Sequence, residues 1–219
     1  SINTEIAANT AKVTNATHTG DVTGATALTI AADAVDIAML SATGTASAST
    51  FLRGDNAWES VPGGLSDASV WRLNTPFTPS TGAATDITAN LEEDDSVSAG
   101  RLGSAMTESS GVFTFPSTGY WLITCHMNSY YTGSTRYTNV RIMTTINNSS
   151  YSMRAYTNQG AYNQGDTVAM ASTCEFLFDV TDVANCKCKF QAFSPQAFTV
   201  DGESDKNRTH FKFMRLGDT

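Results

Sequence analysis

The stretch from Gly111 to Met127, Gly-Val-Phe-Thr-Phe-Pro-Ser-Thr-Gly-Tyr-Trp-Leu-Ile-Thr-Cys-His-Met, restricts the fold more than any other part of the chain. Phe113 and Phe115 fall on one face of an extended segment. Pro116 ends that ladder because it has no N–H to donate, and Gly119 permits a tight corner before a second strand. In the second strand Trp121, Ile123, Cys125 and Met127 share one face, and Tyr120, Leu122, Thr124 and His126 share the other. Large side chains on both faces predict a strand lying between a domain core and a second contact surface, such as a neighbouring subunit.

The same period of two recurs on both sides of this stretch. Val70 to Leu73 and Thr85 to Leu91 read as early strands separated by a Pro76–Gly82 loop, with Glu92 to Asp95 as an acidic turn. From Arg136 to Ile146 the pattern sets Val140, Ile142 and Ile146 inward against Asn139, Arg141 and Thr145 outward, and Tyr151 to Tyr156 forms a shorter strand. Val168, Met170, Cys174, Phe176, Phe178 and Val180 share one face of a long strand. Cys186, Cys188, Phe190 and Ala192 alternate with Lys187, Lys189 and Gln191, the pattern of a half-solvated antiparallel strand. A last strand from Arg208 to Leu216 turns Phe211 and Phe213 inward. Roughly ten short strands, with no long helical pattern between them, predict an all-β, two-sheet antiparallel jelly roll over residues 67–219.

The spacing Gly111-x-Phe113-Thr114-x-Pro116-x-x-Gly119, followed by alternating large residues, resembles the globular head of complement component one, subcomponent q, and the related tumour-necrosis-factor-like jelly rolls. The strand opening Gly165-Asp166-x-Val168 is of the same kind. The resemblance implies a homotrimer.

Residues 1–66 differ in composition. Ile2, Ile6, Val13, Val22, Leu28, Ile30, Val35, Ile37, Met39 and Leu40 are scattered among Thr, Ala, Asn and Gly, too few to build a core in one chain. Three copies wound together would bury them along a shared axis, so the expectation is an extended, intertwined trimeric stem. One short amphipathic helix is expected at Ala32 to Leu40, with Asp33 near its start and Gly44 beyond its end. The run from Thr43 through Phe51-Leu52-Arg53-Gly54-Asp55 to Trp58 resembles a segment of bacteriophage tail fibres, and Phe51 and Trp58 would plug the trimer axis at a neck. Arg53-Gly54-Asp55 is also the tripeptide that integrins read. Asn15, Asn147, Asn148 and Asn207 stand in glycosylation sequons that matter only in a eukaryotic secretory pathway.

The charge balance of −8, with 13 basic residues against 21 acidic ones, argues against nucleic acid and anionic membranes as partners. No stretch approaches the roughly 20 apolar residues of a membrane-spanning helix, and the N-terminus lacks the regions of a signal peptide. The chain begins with Ser1 rather than Met, and the expectation is a fragment, a processed product or the ordered part of something longer. Cys125, Cys174, Cys186 and Cys188 admit three readings: buried free thiols, a disulfide between neighbouring strands, or a metal site built on Cys186 and Cys188 with His126 or His210. The acidic runs holding Glu92, Asp94, Asp201 and Asp205 are candidate calcium ligands, although neither has the spacing of a known calcium loop. No arrangement of nucleophile, histidine and carboxylate is recognisable, so no enzyme activity is expected.

Binding has better support. Tyr130, Tyr131 and Arg136 lie in one segment rich in Tyr, Ser, Gly and Asn, and Tyr151, Arg154, Tyr156 and Tyr162 lie in another. Rigid aromatic area beside short polar side chains is the composition of recognition loops, and Tyr faces stack on sugar rings. These segments equally suit a trimer interface. The function expected is a homotrimeric fibre of a bacteriophage or other virion. Its stem would join other virion proteins and its head would bind a host-surface glycan or protein outside the cell. A structural decoration protein of capsid or tail, with the head as trimerisation module, is the alternative. A secreted adhesion protein of the complement-head family is a third, without the collagen-like stalk expected of it.

Overall fold

The computed structural model describes residues 2–13, 22–23, 29–60, 64–132, 135–162 and 166–219. The chain divides into two units, Ser1–Gly63 and Gly64–Thr219. The first contains a helix α1 (Ile2–Val13), a two-stranded ribbon of β1 (Val22–Thr23) and β2 (Thr29–Ile30), a 3-10 turn at Ile37–Met39, and a hairpin of β3 (Thr50–Leu52) and β4 (Trp58–Ser60). None of the described side chains in this unit is buried, which accords with its sparse apolar content.

The helix expected at Ala32 to Leu40 is not there. Asp33 sits at φ 60°, a left-handed conformation that interrupts an α-helix, and only one 3-10 turn follows. Asp36, not Asp33, caps that turn by accepting from the Ala38 and Met39 amides. The helix stands instead at Ile2–Val13, with Glu5 in its first turn facing the positive end of the dipole.

The second unit is the jelly roll. Its strands are β5 (Ala68–Leu73), β6 (Thr85–Asp86), β7 (Leu91–Glu93), β8 (Thr107–Ser109), β9 (Val112–Thr114), β10 (Gly119–Thr132), β11 (Thr135–Thr145), β12 (Ser152–Ala161), β13 (Thr167–Val180), β14 (Lys187–Phe193), β15 (Thr199–Val200) and β16 (His210–Gly217). One sheet runs β13-β10-β16-β5-β7, with β15 also on β10; the other runs β12-β11-β14-β9-β8, with β6 also on β14. All pairings in both are antiparallel. The chain changes sheets between β5 and β6, β6 and β7, β7 and β8, β9 and β10, β10 and β11, β12 and β13, β13 and β14, and β14 and β15. The resulting strand order places sequence-distant strands side by side, as a jelly roll requires.

The Gly111–Met127 stretch holds the two layers together. β9 ends before Pro116 in the second sheet, and β10 starts at Gly119 in the first. Gly119 has φ 137°, and a Cβ there would lie 2.4 Å from the Gly217 carbonyl oxygen, so both the corner and the neighbouring strand exclude a side chain. Trp121 donates its indole N–H to the Ser117 carbonyl at 3.1 Å. Trp121, Ile123, Cys125 and Met127 are all essentially inaccessible, and Phe113 sits at the centre of the core. The Phe113 ring meets Trp71, Phe190, Phe211 and Phe213 at centroid separations of 5.4, 5.5, 6.1 and 5.0 Å. Each fully buried ring contributes about 1.5–3 kcal/mol relative to exposure.

Several sequence expectations change in detail. Thr85 to Leu91 is not one strand: β6 and β7 belong to different sheets, and Asn90 at φ 60° makes the bend between them. The strand expected from Tyr151 to Tyr156 is longer, running Ser152–Ala161, so Tyr156 stands in mid-strand and not in a recognition loop. Ile146 lies past the end of β11 and is exposed, whereas Asn139 and Thr145, expected outside, are buried. Lys187 is also buried, its ammonium donating to the Val183 carbonyl at 2.6 Å.

The four cysteines are free and buried. Cys125 and Cys174 are direct cross-strand partners between β10 and β13. Burial pushes the Cys125 thiol well up, as do its Cys174 and Cys188 neighbours, and burial pushes Cys188 up as well. Cys186 and Cys188 face the core while His126 and His210 stand on the outer face of the first sheet, so the Cys–His metal set is not assembled.

Candidate functional site

The two outer faces of the sandwich differ in chemistry. On the first sheet, Leu122 of β10 is directly opposite Leu177 of β13 on one side and Met214 of β16 on the other, and Met214 is opposite Ala68 of β5. An apolar stripe therefore crosses four adjacent strands, with Leu177 half exposed and Tyr120 open beside it. Next to the stripe Thr124 donates to Glu175 at 3.0 Å. Beyond that the imidazoles of His126 and His210 stack with centroids 5.0 Å apart. Burial lowers both imidazole pKa values; the charge of His210 adds to the effect at His126.

On the second sheet the outer face forms a polar groove of about 400 Å3, lined by Tyr137, Asn139, Arg141, Met153, Tyr156 and Asn158. The register explains it: Asn139 and Arg141 of β11 lie opposite Asn158 and Tyr156 of β12, and opposite Phe193 and Gln191 of β14. Asn139 donates to Asn158 Oδ1 at 2.9 Å and accepts from Arg141 Nε. The Arg141 guanidinium carbon lies 5.0 Å from the centre of the Phe193 ring, which also tilts against Tyr137. Further along this face Lys189 pairs with Asp86 at 2.7 Å and lies over the Tyr151 ring.

The residues expected to bind a receptor are not gathered in one place. Tyr130 and Tyr131 end β10, beside a concavity of about 300 Å3 with Thr78, Phe198 and Thr199. Tyr131 packs toward the core and its hydroxyl donates to Gln196 Oε1 at 2.6 Å. Tyr162 is highly exposed just beyond β12, near the start of β13, and the Arg136 side chain lies outside the described residues. Tyr151 is partly covered at the opposite end of β12, and Arg154 donates from Nε to Thr144. Among the described side chains of the set, only Tyr156 enters the groove. Asn139, Arg141, Met153 and Asn158, not singled out from the sequence, complete it with Tyr137. Their signal was cross-strand: a basic outward residue opposite a Tyr, with no acid on the strand that carries either.

Leu52 is the cross-strand partner of Trp58 and Phe51 that of Glu59, so the two rings project from opposite faces of the hairpin. Arg53 pairs with Asp55 at 3.2 Å within the same turn.

The candidate calcium ligands are occupied by cations of the chain itself. Arg72, fully inaccessible on β5, donates to Glu92 at 2.7 Å, Asp94 at 2.6 Å and Asp95, and also to Ser96. Burial alone would push the Asp94 carboxyl up; hydrogen bonds from Ser96 and Asn207 and the Arg72 charge overcome that and hold it down at about 2. Asp201 pairs with Arg208 at 2.9 Å, and Asp205 lies 3.3 Å from Lys206. Among the described residues no group of three or more His, Cys, Asp or Glu is placed to hold a metal ion, and no helix is long and apolar enough to cross a membrane.

No family model matches the chain, and no curated protein does. Among solved structures it is similar to murine APRIL at pH 5.0, with TM-score 0.49 and 9% identity, over 68% of this chain and 98% of that one. It is similar to the Eiger TNF of S. frugiperda, with TM-score 0.49 and 14% identity, over 71% and 95%. It is likewise similar to the vertex protein P5 of PRD1, with TM-score 0.45 and 16% identity, over 71% and 100%.

Proposed function

We propose that this chain is a homotrimeric virion appendage whose jelly-roll head binds carbohydrate on a host surface and whose N-terminal unit joins the particle. The observation that carries the reading is the division between the two faces. The Leu177–Leu122–Met214–Ala68 stripe crosses four strands and is suited to burial against another copy, while the opposite face keeps an open polar groove. β12 and β13 support the assembly: each is a long sheet edge without proline or lysine, a kind of edge that natural proteins cover. The fibre-like segment ending at Trp58 and the Gly111–Gly119 pattern support three copies and a virion context. Three weak sites on one axis would gain avidity without strong single contacts.

Light scattering on the full chain tests the assembly. The expected mass is three times that of the chain, and Leu122→Asp combined with Leu177→Asp is expected to reduce it to a monomer. A wild-type monomer would refute the reading. Retention on an immobilised glycan array tests the head; a trimer that retains no glycan would be the decoration protein instead.

A further inference from the structure

We infer that the Arg141 groove takes a sugar bearing a carboxylate, such as a uronic or sialic acid; this rests on the carbohydrate reading above. Arg53, Arg72, Arg101, Arg208 and Arg215 each reach a carboxylate of the chain. Among the described residues Arg141 and Arg154 reach none; Arg154 donates to Thr144, and of the two it is Arg141 that lines the groove. No acid lines its groove, although the chain as a whole carries −8. A guanidinium placed where acids are withheld, in a chain rich in them, is a local site for an anion.

Its geometry is also fixed in advance. Asn139 holds Nε, Asn158 holds Asn139, and Phe193 supports the guanidinium plane. Two terminal nitrogens then remain to meet a planar carboxylate side by side, the match for which an arginine fork is suited and a lysine is not. The half-exposed Tyr156, directly opposite Arg141, and Met153 supply apolar area for the sugar ring, and the groove volume of about 400 Å3 admits one or two sugar residues. The Asn158 amide nitrogen adds donors for ring hydroxyls. A single positive charge suits a monoanion better than a phosphate dianion.

The test is ligand-observed NMR titration of the full chain with methyl β-glucuronide, methyl α-sialoside, methyl β-glucoside and a 6-sulfated glucoside. The acidic sugars are expected to bind roughly tenfold or more tightly than the glucoside, the worth of one charge-assisted contact. Arg141→Gln is expected to erase that preference, and Arg141→Lys to restore it only in part. Light scattering and near-ultraviolet circular dichroism report whether the variants keep their fold. If Arg141→Gln does not fold, the wild-type preference still decides. Equal affinity for glucuronide and glucoside, or a preference for the sulfated sugar, overturns the carboxylate assignment and leaves carbohydrate recognition standing. Failure of all four sugars and of the glycan array overturns both.

Discussion

Replacing Arg72 with Met keeps most of the aliphatic stem but removes a guanidinium that is completely inaccessible and reaches three carboxylates. Glu92, Asp94 and Asp95 would then face one another without a counter-charge. Breaking a buried pair costs about 3–5 kcal/mol. Asp95 is 82% exposed and Glu92 29%, so part of the repulsion relaxes into water and about 3 kcal/mol is expected at neutral pH. The pH dependence separates this cause from lost packing. In the wild type the Asp94 pKa is held down at about 2, so its contribution is complete above the unfolded value near 3.8 and is lost as pH falls toward 2. In the variant the crowded carboxylates protonate more readily than in the unfolded chain, which gains stability over the same fall. The difference between the proteins should therefore shrink on acidification. Urea unfolding followed by near-ultraviolet circular dichroism at one fixed protein concentration measures it. A cost below about 1 kcal/mol, or one unchanged between neutral and acid pH, would show that the charge cluster is not what Arg72 secures.

Gly111→Ala should lower stability by about 1–3 kcal/mol, because φ is 82° there and a Cβ would meet the Ile87 carbonyl oxygen at 2.2 Å; thermal unfolding measures it. Phe113→Ala, which removes the ring that four other aromatic residues contact, should cost about 3–5 kcal/mol in the same assay. The four cysteines should resist a thiol reagent in the native protein and react together in denaturant; fast reaction of any one without unfolding would contradict their burial. The lowered pKa values of His126 and His210 mean that the stability they support is complete above the unfolded value near 6.5 and lost as pH falls below it. Melting temperature should thus decline from about pH 7.5 to about pH 5, and His126→Gln should flatten that decline.

The head was largely readable because period-two alternation is a local signal. Trp121, Ile123, Cys125, Met127, Phe211 and Phe213 turn inward as the pattern requires, and Pro116 and Gly119 mark the corner. That local signal fails where the chain changes sheets. Nothing in the composition of Thr85 to Leu91 distinguishes a strand from a crossover that buries Ile87 between two short strands. The helix at Ile2–Val13 has a weak signal, because Ile2, Ile6 and Val13 share a face but are its only large apolar residues, and a left-handed Asp33 leaves no mark in the sequence of Ala32 to Leu40. The groove was only partly visible for a similar reason. Tyr156 was recognisable by residue type, but Arg141 becomes distinctive only when β11 is set between β12 and β14 and its lack of an acidic partner can be seen.

The placement of β5 also has a mechanical meaning. This strand is the one by which residues 1–63 enter the jelly roll, and it runs inside its sheet, paired over five positions with β16 and three with β7. A pull arriving through Gly64 along the strand loads these ladders in shear, so they must give way together rather than open one bond at a time. Arg72 adds three ionic ties from β5 to Glu92, Asp94 and Asp95, across the same joint. A head tethered through its N-terminus would carry its load through a strand fastened on both sides.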